Sequence, residues 1–78
     1  MSFKEWIIQF VEKDSPLGDL AYDIKGNANF PRTKNKDDIL QYLKDRGVCK
    51  RVVDTFKYAY KKYVSYLIWR KKYIVNFN

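Results

Sequence analysis

The 78-residue chain has no histidine, one cysteine, three glycines and two prolines. Without histidine it lacks the commonest general base and the commonest metal ligand. The lone cysteine, Cys49, makes no intrachain disulfide and cannot complete a zinc site. It precedes Lys50 and Arg51 near a helix start, a setting in which cysteines can be reactive; the plainer reading is a small residue buried where the helix begins. Gly18, Gly26 and Gly47 are scattered and build no phosphate-binding loop. Asp19 and Asp23 share a helix face, but no third ligand accompanies them, and paired carboxylates are common on solvated faces. These absences argue against an enzyme and imply no catalytic residues, no cofactor and no metal.

Long apolar runs are missing too. The longest stretch free of charge is the seven residues Tyr63 to Trp69, whereas a membrane-spanning helix needs about 20 apolar residues. The opening "MSFKEWIIQFVEKD" carries charge at Lys4, Glu5 and Glu12 and does not read as a signal peptide. With a single cysteine, the expected setting is a reducing cytoplasm. The last scarcity is of acid. Residues 1–47 hold eight bases and eight acids, whereas residues 48–78 hold eight bases and one acid, Asp54, so the whole net charge of +7 lies in the final 31 residues. Such asymmetry points to a polyanionic partner, nucleic acid or an anionic membrane; a solubility device is the bland alternative.

What is present reads as four helices. "SFKE" is a capping box, Ser2 with Glu5, and Phe3, Trp6, Ile7 and Phe10 recur at helical spacing, predicting a helix that ends near Lys13. Ser15 caps a second helix with Pro16 at its first position and Asp19 in its first turn. Its buried stripe is Leu17, Leu20, Ala21 and Ile24, and Gly26 and Asn27 are stop signals. In the loop "NANFPRTKNK", Phe30 before Pro31 is extended and expected to plug the core. Asn35 caps a third helix with Ile39, Leu40 and Leu43 inward, ended by Gly47.

The last helix starts near Cys49. Val52, Val53, Phe56, Ala59, Tyr60, Tyr63, Val64 and Leu67 fall within roughly 140° at 100° per residue, a core-facing stripe. Lys50, Arg51, Lys57, Lys61 and Lys62 fall opposite, with Tyr58 and Ser65 among them. Beyond Leu67 the pattern breaks, because Arg70 and Lys71 would land on the apolar stripe and Trp69 on the polar face. The expected organisation is therefore a helical domain over residues 1–67 and a basic, aromatic extension over 68–78, whose conformation the pattern leaves open. Within it "YIVNFN" alternates in a way that favours a strand.

The segments "SFKEWIIQF", "DSPLGDLAYDI", "FPRTKNKDDILQYL" and "VVDTFKYAYKKY", in that order, resemble the YozE-like proteins of Gram-positive bacteria, over about residues 2–63. The resemblance implies short cytoplasmic proteins with a SAM-like (sterile alpha motif-like) fold: an all-α bundle of four to five small helices ending in a longer one. It implies protein–protein association, including self-association, or in some branches nucleic-acid binding. No functional residue carries over, and the basic last helix and the extension "SYLIWRKKYIVNFN" depart from the family's pattern.

The residues themselves support three binding roles. In the first, Lys50, Arg51, Lys57, Lys61, Lys62, Arg70, Lys71 and Lys72 neutralise phosphates, while Trp69 and Tyr73 stack on unpaired bases. This is weakly specific nucleic-acid binding, DNA before RNA. In the second, the chain binds an acidic protein or forms a homodimer through its tail. The third is association with an anionic membrane surface through "YLIWRKKY", the weakest because the apolar stripe is needed for the core.

Overall fold

The computed structural model describes the backbone of residues 1–75 and the side chains of residues 1–71. Four α-helices follow one another: α1 (Phe3–Ile7), α2 (Pro16–Lys25), α3 (Lys36–Asp45) and α4 (Lys50–Val75), with a 3₁₀ turn at Ile8–Phe10 after α1. Among the described residues there is no strand, so the fold is all-α.

Side-chain caps start the first three helices. The Ser2 amide donates to Glu5 Oε1 at 2.9 Å and the Glu5 amide donates to Ser2 Oγ at 3.2 Å, closing the capping box. Hydrogen bonds from the Ser2 backbone and side chain hold the Glu5 carboxyl below its ordinary pKa. Ser15 Oγ accepts from the Gly18 amide and Asn35 Oδ1 from the Asp38 amide. Helix α3 ends in a Schellman motif: Gly47 sits at φ 68°, its amide donates to the Lys44 carbonyl, and the Val48 amide donates to the Leu43 carbonyl. Only glycine adopts that backbone region without a Cβ penalty.

Two sequence expectations about helix ends need correction. Helix α1 does not continue to Lys13; its last turns tighten to 3₁₀, a common ending for α-helices. The tightening lets Phe10 meet Trp6 edge-on at 5.0 Å and brings the Lys13 carbonyl against the start of α2. A Cβ on buried Gly18 would lie 1.8 Å from that carbonyl oxygen, so this crossing requires glycine. At the start of α4, Cys49 is exposed rather than buried. Its carbonyl accepts from the Val52 and Val53 amides, and the inward position goes to its neighbour Val48, which packs against the core.

Phe3, fully buried, is the hub of the core. Its ring lies 5.1 Å from Phe56 and 5.5 Å from Tyr63, both edge-on, and 6.5 Å from Phe30. Edge-to-face pairs of this kind add about 0.5–1.5 kcal/mol each beyond burial. Phe30 is the expected plug, and the Phe3 amide ties the same loop down by donating to the Thr33 carbonyl.

On α4, Phe56, Ala59 and Tyr63 are fully buried, and Val52, Tyr60, Tyr66 and Leu67 pack around them. Val53 and Val64 are half-buried but do not pack against this cluster, whereas Tyr66 does, so the stripe is turned toward Tyr66. The hydroxyls of Tyr60 and Tyr63 donate to the carbonyls of Lys34 and Met1, and burial pushes the Tyr63 phenol above its ordinary pKa. Tyr60 and Tyr63 are therefore committed to the fold by both packing and hydrogen bonding, and Tyr66 by packing.

Candidate nucleic-acid interface

Helix α4 runs 26 residues, about 39 Å at 1.5 Å per residue. Neither glycine nor proline occurs after Gly47, so nothing in the chain interrupts its hydrogen bonding. Among the described residues Leu67 is the last packed on the core, and the next turn is solvated: Ile68 and Trp69 are 61% and 54% exposed. Arg70 and Lys71 are exposed as well. Residues 73–75 are helical and not the strand their alternation favours, because extending an existing helix needs no new nucleus. The side chains of Lys72 and Tyr73, and the rest of "YIVNFN" beyond Val75, lie outside the described residues.

Lys50, Arg51, Lys57, Lys61 and Lys62 are all exposed, but their surroundings differ. Arg51 lines a small cavity of about 170 Å³ together with Asp19 and Asp23 of α2. Asp54, one turn on, lines a second groove with Leu17 and Tyr58. The first turns of α4 thus have carboxylates nearby, Asp19 and Asp23 across the cavity from Arg51 and Asp54 on the helix itself. After Asp54 the chain contains no further acid. From Lys57 onward the cations of α4 therefore have no acid following them along the helix, Asp54 being the last.

In that acid-free part, a groove of about 590 Å³ is lined by Tyr58, Lys61, Lys62, Ser65, Tyr66 and Trp69. Spacings of three, four and seven residues put these side chains on one side of the helix. Tyr58 is 56% exposed, and the Lys62 ammonium sits 5.1 Å from its ring centroid, a cation–π pairing. Arg70 Nη1 reaches the Tyr66 hydroxyl at 3.5 Å. The structure thus brings Lys61, Lys62 and Trp69 together, with Lys57 one turn before the groove and Arg70 beside it. Lys50 and Arg51 stand apart at the start of the helix, Arg51 on the cavity it shares with Asp19 and Asp23. Tyr66 was not among the residues singled out by sequence. Its spacing, eight after Tyr58 and three before Trp69, was the available signal.

A family model described as "YozE SAM-like fold" matches residues 2–65. The chain belongs to this family. The YozE SAM-like match covers all of α1, α2 and α3 and α4 as far as Ser65, so Tyr66, Trp69, Arg70 and Lys71 lie past its end. The description names a fold and no activity. No curated protein and no solved structure matches the chain. Among the described residues no helix is long and apolar enough to cross a membrane, and no group of three or more acidic, cysteine or histidine side chains could hold a metal ion.

Proposed function

We propose that this YozE SAM-like domain is a non-enzymatic binding module that takes nucleic acid, DNA before RNA, on the outer face of α4. The observation that carries the reading is the groove between Tyr58 and Trp69, where exposed aromatic rings and the ammonium groups of Lys61 and Lys62 share one surface. Cations neutralise phosphates and release counterions, which gives affinity without sequence reading. Aromatic faces stack on unpaired bases, worth about 1–3 kcal/mol per base. Lys57, Arg70 and Lys71 extend the positive surface along the helix. Helix α4 carries its own core stripe on the side facing the bundle, so weak sequence specificity is expected. A cytoplasmic setting belongs to the same proposal.

Fluorescence anisotropy with labelled single- and double-stranded DNA tests it. Binding at low salt that is lost in Lys61→Glu/Lys62→Glu supports the proposal. Equal binding by wild type and variant, or none by either, contradicts it.

A second reading rests on Ile68 and Trp69, adjacent, apolar and more than half exposed. Such a patch suits a protein partner, an acidic one given the neighbouring Arg70 and Lys71, or a second copy of the chain. Sedimentation at increasing concentration separates the two. A dimer dispersed by Ile68→Asp favours self-association, and a monomer at all concentrations leaves only an acidic partner for this patch.

A further inference from the structure

A second concave site lies away from the α4 face. A cleft of about 510 Å³ opens between the end of α2, the loop that follows it and α3, a volume within the range of small-ligand sites, about 300–1,000 Å³. Its apolar wall is made by Leu20, Ile24, Phe30 and Leu43 of the core together with Val48 and Val52. Its polar rim is Asn27, Tyr42 and Arg46 on one side and Asp23 on the other.

The rim is organised around one phenol. The Tyr42 hydroxyl accepts from the Asn27 side-chain amide and from Arg46 Nη1, the latter at 2.8 Å. Both acceptor positions of a phenol are then filled, and what remains is its own O–H, available to donate. Behind this corner Lys4, only 7% exposed, donates from Nζ to the Asn27 carbonyl at 2.9 Å. Two cations therefore bear on Tyr42, and their hydrogen bonds go to a carbonyl and a hydroxyl, neither to a carboxylate. The phenol reflects this. Burial pushes its pKa up, yet the hydrogen bonds from Asn27 and Arg46 and the charges of Arg46 and Lys4 outweigh burial and hold it below the ordinary value. The ring is fixed edge-on to Phe30 at 5.4 Å, so the hydroxyl is held in place rather than swinging.

We propose that this cleft binds a carboxylate carried on an apolar body. The Tyr42 O–H and the remaining guanidinium N–H groups of Arg46 donate to the carboxylate, charge-assisted bonds of the stronger kind, and the aliphatic wall takes the apolar portion. Asp23 repels the acid from the α2 side and so directs it to the Tyr42–Arg46 corner. The site shares no residue with the proposed nucleic-acid surface and does not depend on it.

The test is a ¹⁵N-amide NMR titration of the full chain at neutral pH. Phenylacetate stands for a free acid and acetyl-Leu-Glu-Leu-amide for a side chain in a protein; phenylacetamide and the Gln peptide are their neutral counterparts. Saturable shifts at Asn27, Phe30, Tyr42 and Arg46 are expected with at least one carboxylate, with its neutral counterpart weaker by tenfold or more. Which carboxylate binds assigns the source. Arg46→Gln, at an exposed position, and Tyr42→Phe should each weaken binding at least tenfold while the remaining amide spectrum keeps its folded dispersion. No saturable shift with either carboxylate at millimolar concentration overturns the proposal. So does equal binding of the neutral compounds, unchanged affinity in Arg46→Gln, or an equal response to inorganic phosphate.

Discussion

The first turns of α2 and α3 carry Asp19 and the pair Asp37 and Asp38, whereas the first turn of α4 carries Lys50 and Arg51 and no acid. Carboxylates belong at a helix N-terminus, where the backbone dipole is positive, and cations there are unfavourable by about 0.3–1 kcal/mol each. Helices α2 and α3 are thus written for their own stability, with side-chain caps at Ser15 and Asn35 to match. Helix α4 is written otherwise on its outer face. Its inner face closes the core through Phe56, Ala59 and Tyr63, and its outer face carries charge that folding does not ask for. The division between an inner face that folds the chain and an outer face that binds is the claim to be broken or sharpened.

The largest effect should come from the inner side. Phe3→Ala removes the ring on which Phe56 and Tyr63 converge and should cost about 3–5 kcal/mol, enough to unfold much of so small a domain; a urea titration followed by circular dichroism reads it. Gly18→Ala forces a Cβ into the Lys13 carbonyl and should cost about 1–3 kcal/mol, the usual range for overpacking. A value near zero would mean that the entry to α2 is looser than described. Ser2→Ala should cost about 1 kcal/mol through the lost cap.

A finer test of the same cap uses pH. The Glu5 carboxyl titrates lower in the folded chain than its ordinary value of 4.5. Its contribution is therefore present above that value and is lost as pH falls through the folded pKa. Between pH 7 and pH 3 the urea midpoint should fall more in the wild type than in Glu5→Gln, whose amide keeps the capping geometry but does not titrate. On the outer face the effect on stability should be smallest: Lys61→Glu/Lys62→Glu should stay within about 0.5 kcal/mol of wild type. A larger loss would show that the two faces are not separable.

Much of the fold was legible because it rests on short-range chemistry. Ser2, Ser15 and Asn35 announce helix starts through residues three positions away, Gly47 announces a stop, and Phe30 before Pro31 announces a plug. What escaped depends on contacts distant in sequence. Lys4 enters the sequence reading only as a charge in the opening segment, yet its ammonium donates to the Asn27 carbonyl, 23 residues away, and the residue is buried. The tightening at the end of α1 goes with the close crossing at Gly18, which no periodicity records. Cys49 reads as a buried helix start, but the Schellman turn gives that role to Val48. For the candidate site, the positive face of α4 was legible from helical spacing alone. Its unevenness was not, because Arg51 comes to share a cavity with Asp19 and Asp23 only once α2 is packed beside it. The cleft at Tyr42 had a weak trace, Tyr42 and Arg46 four apart on α3, but Asn27 joins them only through the loop.

The salt dependence of duplex DNA affinity tests the central claim most directly. With about five phosphates engaged, log K should fall against log salt with a slope of about −4.5, and Lys61→Glu/Lys62→Glu should flatten that slope by about 1.8, two contacts at about 0.9 each, while the urea midpoint stays in place. A wild-type slope near zero, or the same steep slope in the variant, would contradict the assignment of phosphates to the outer face of α4.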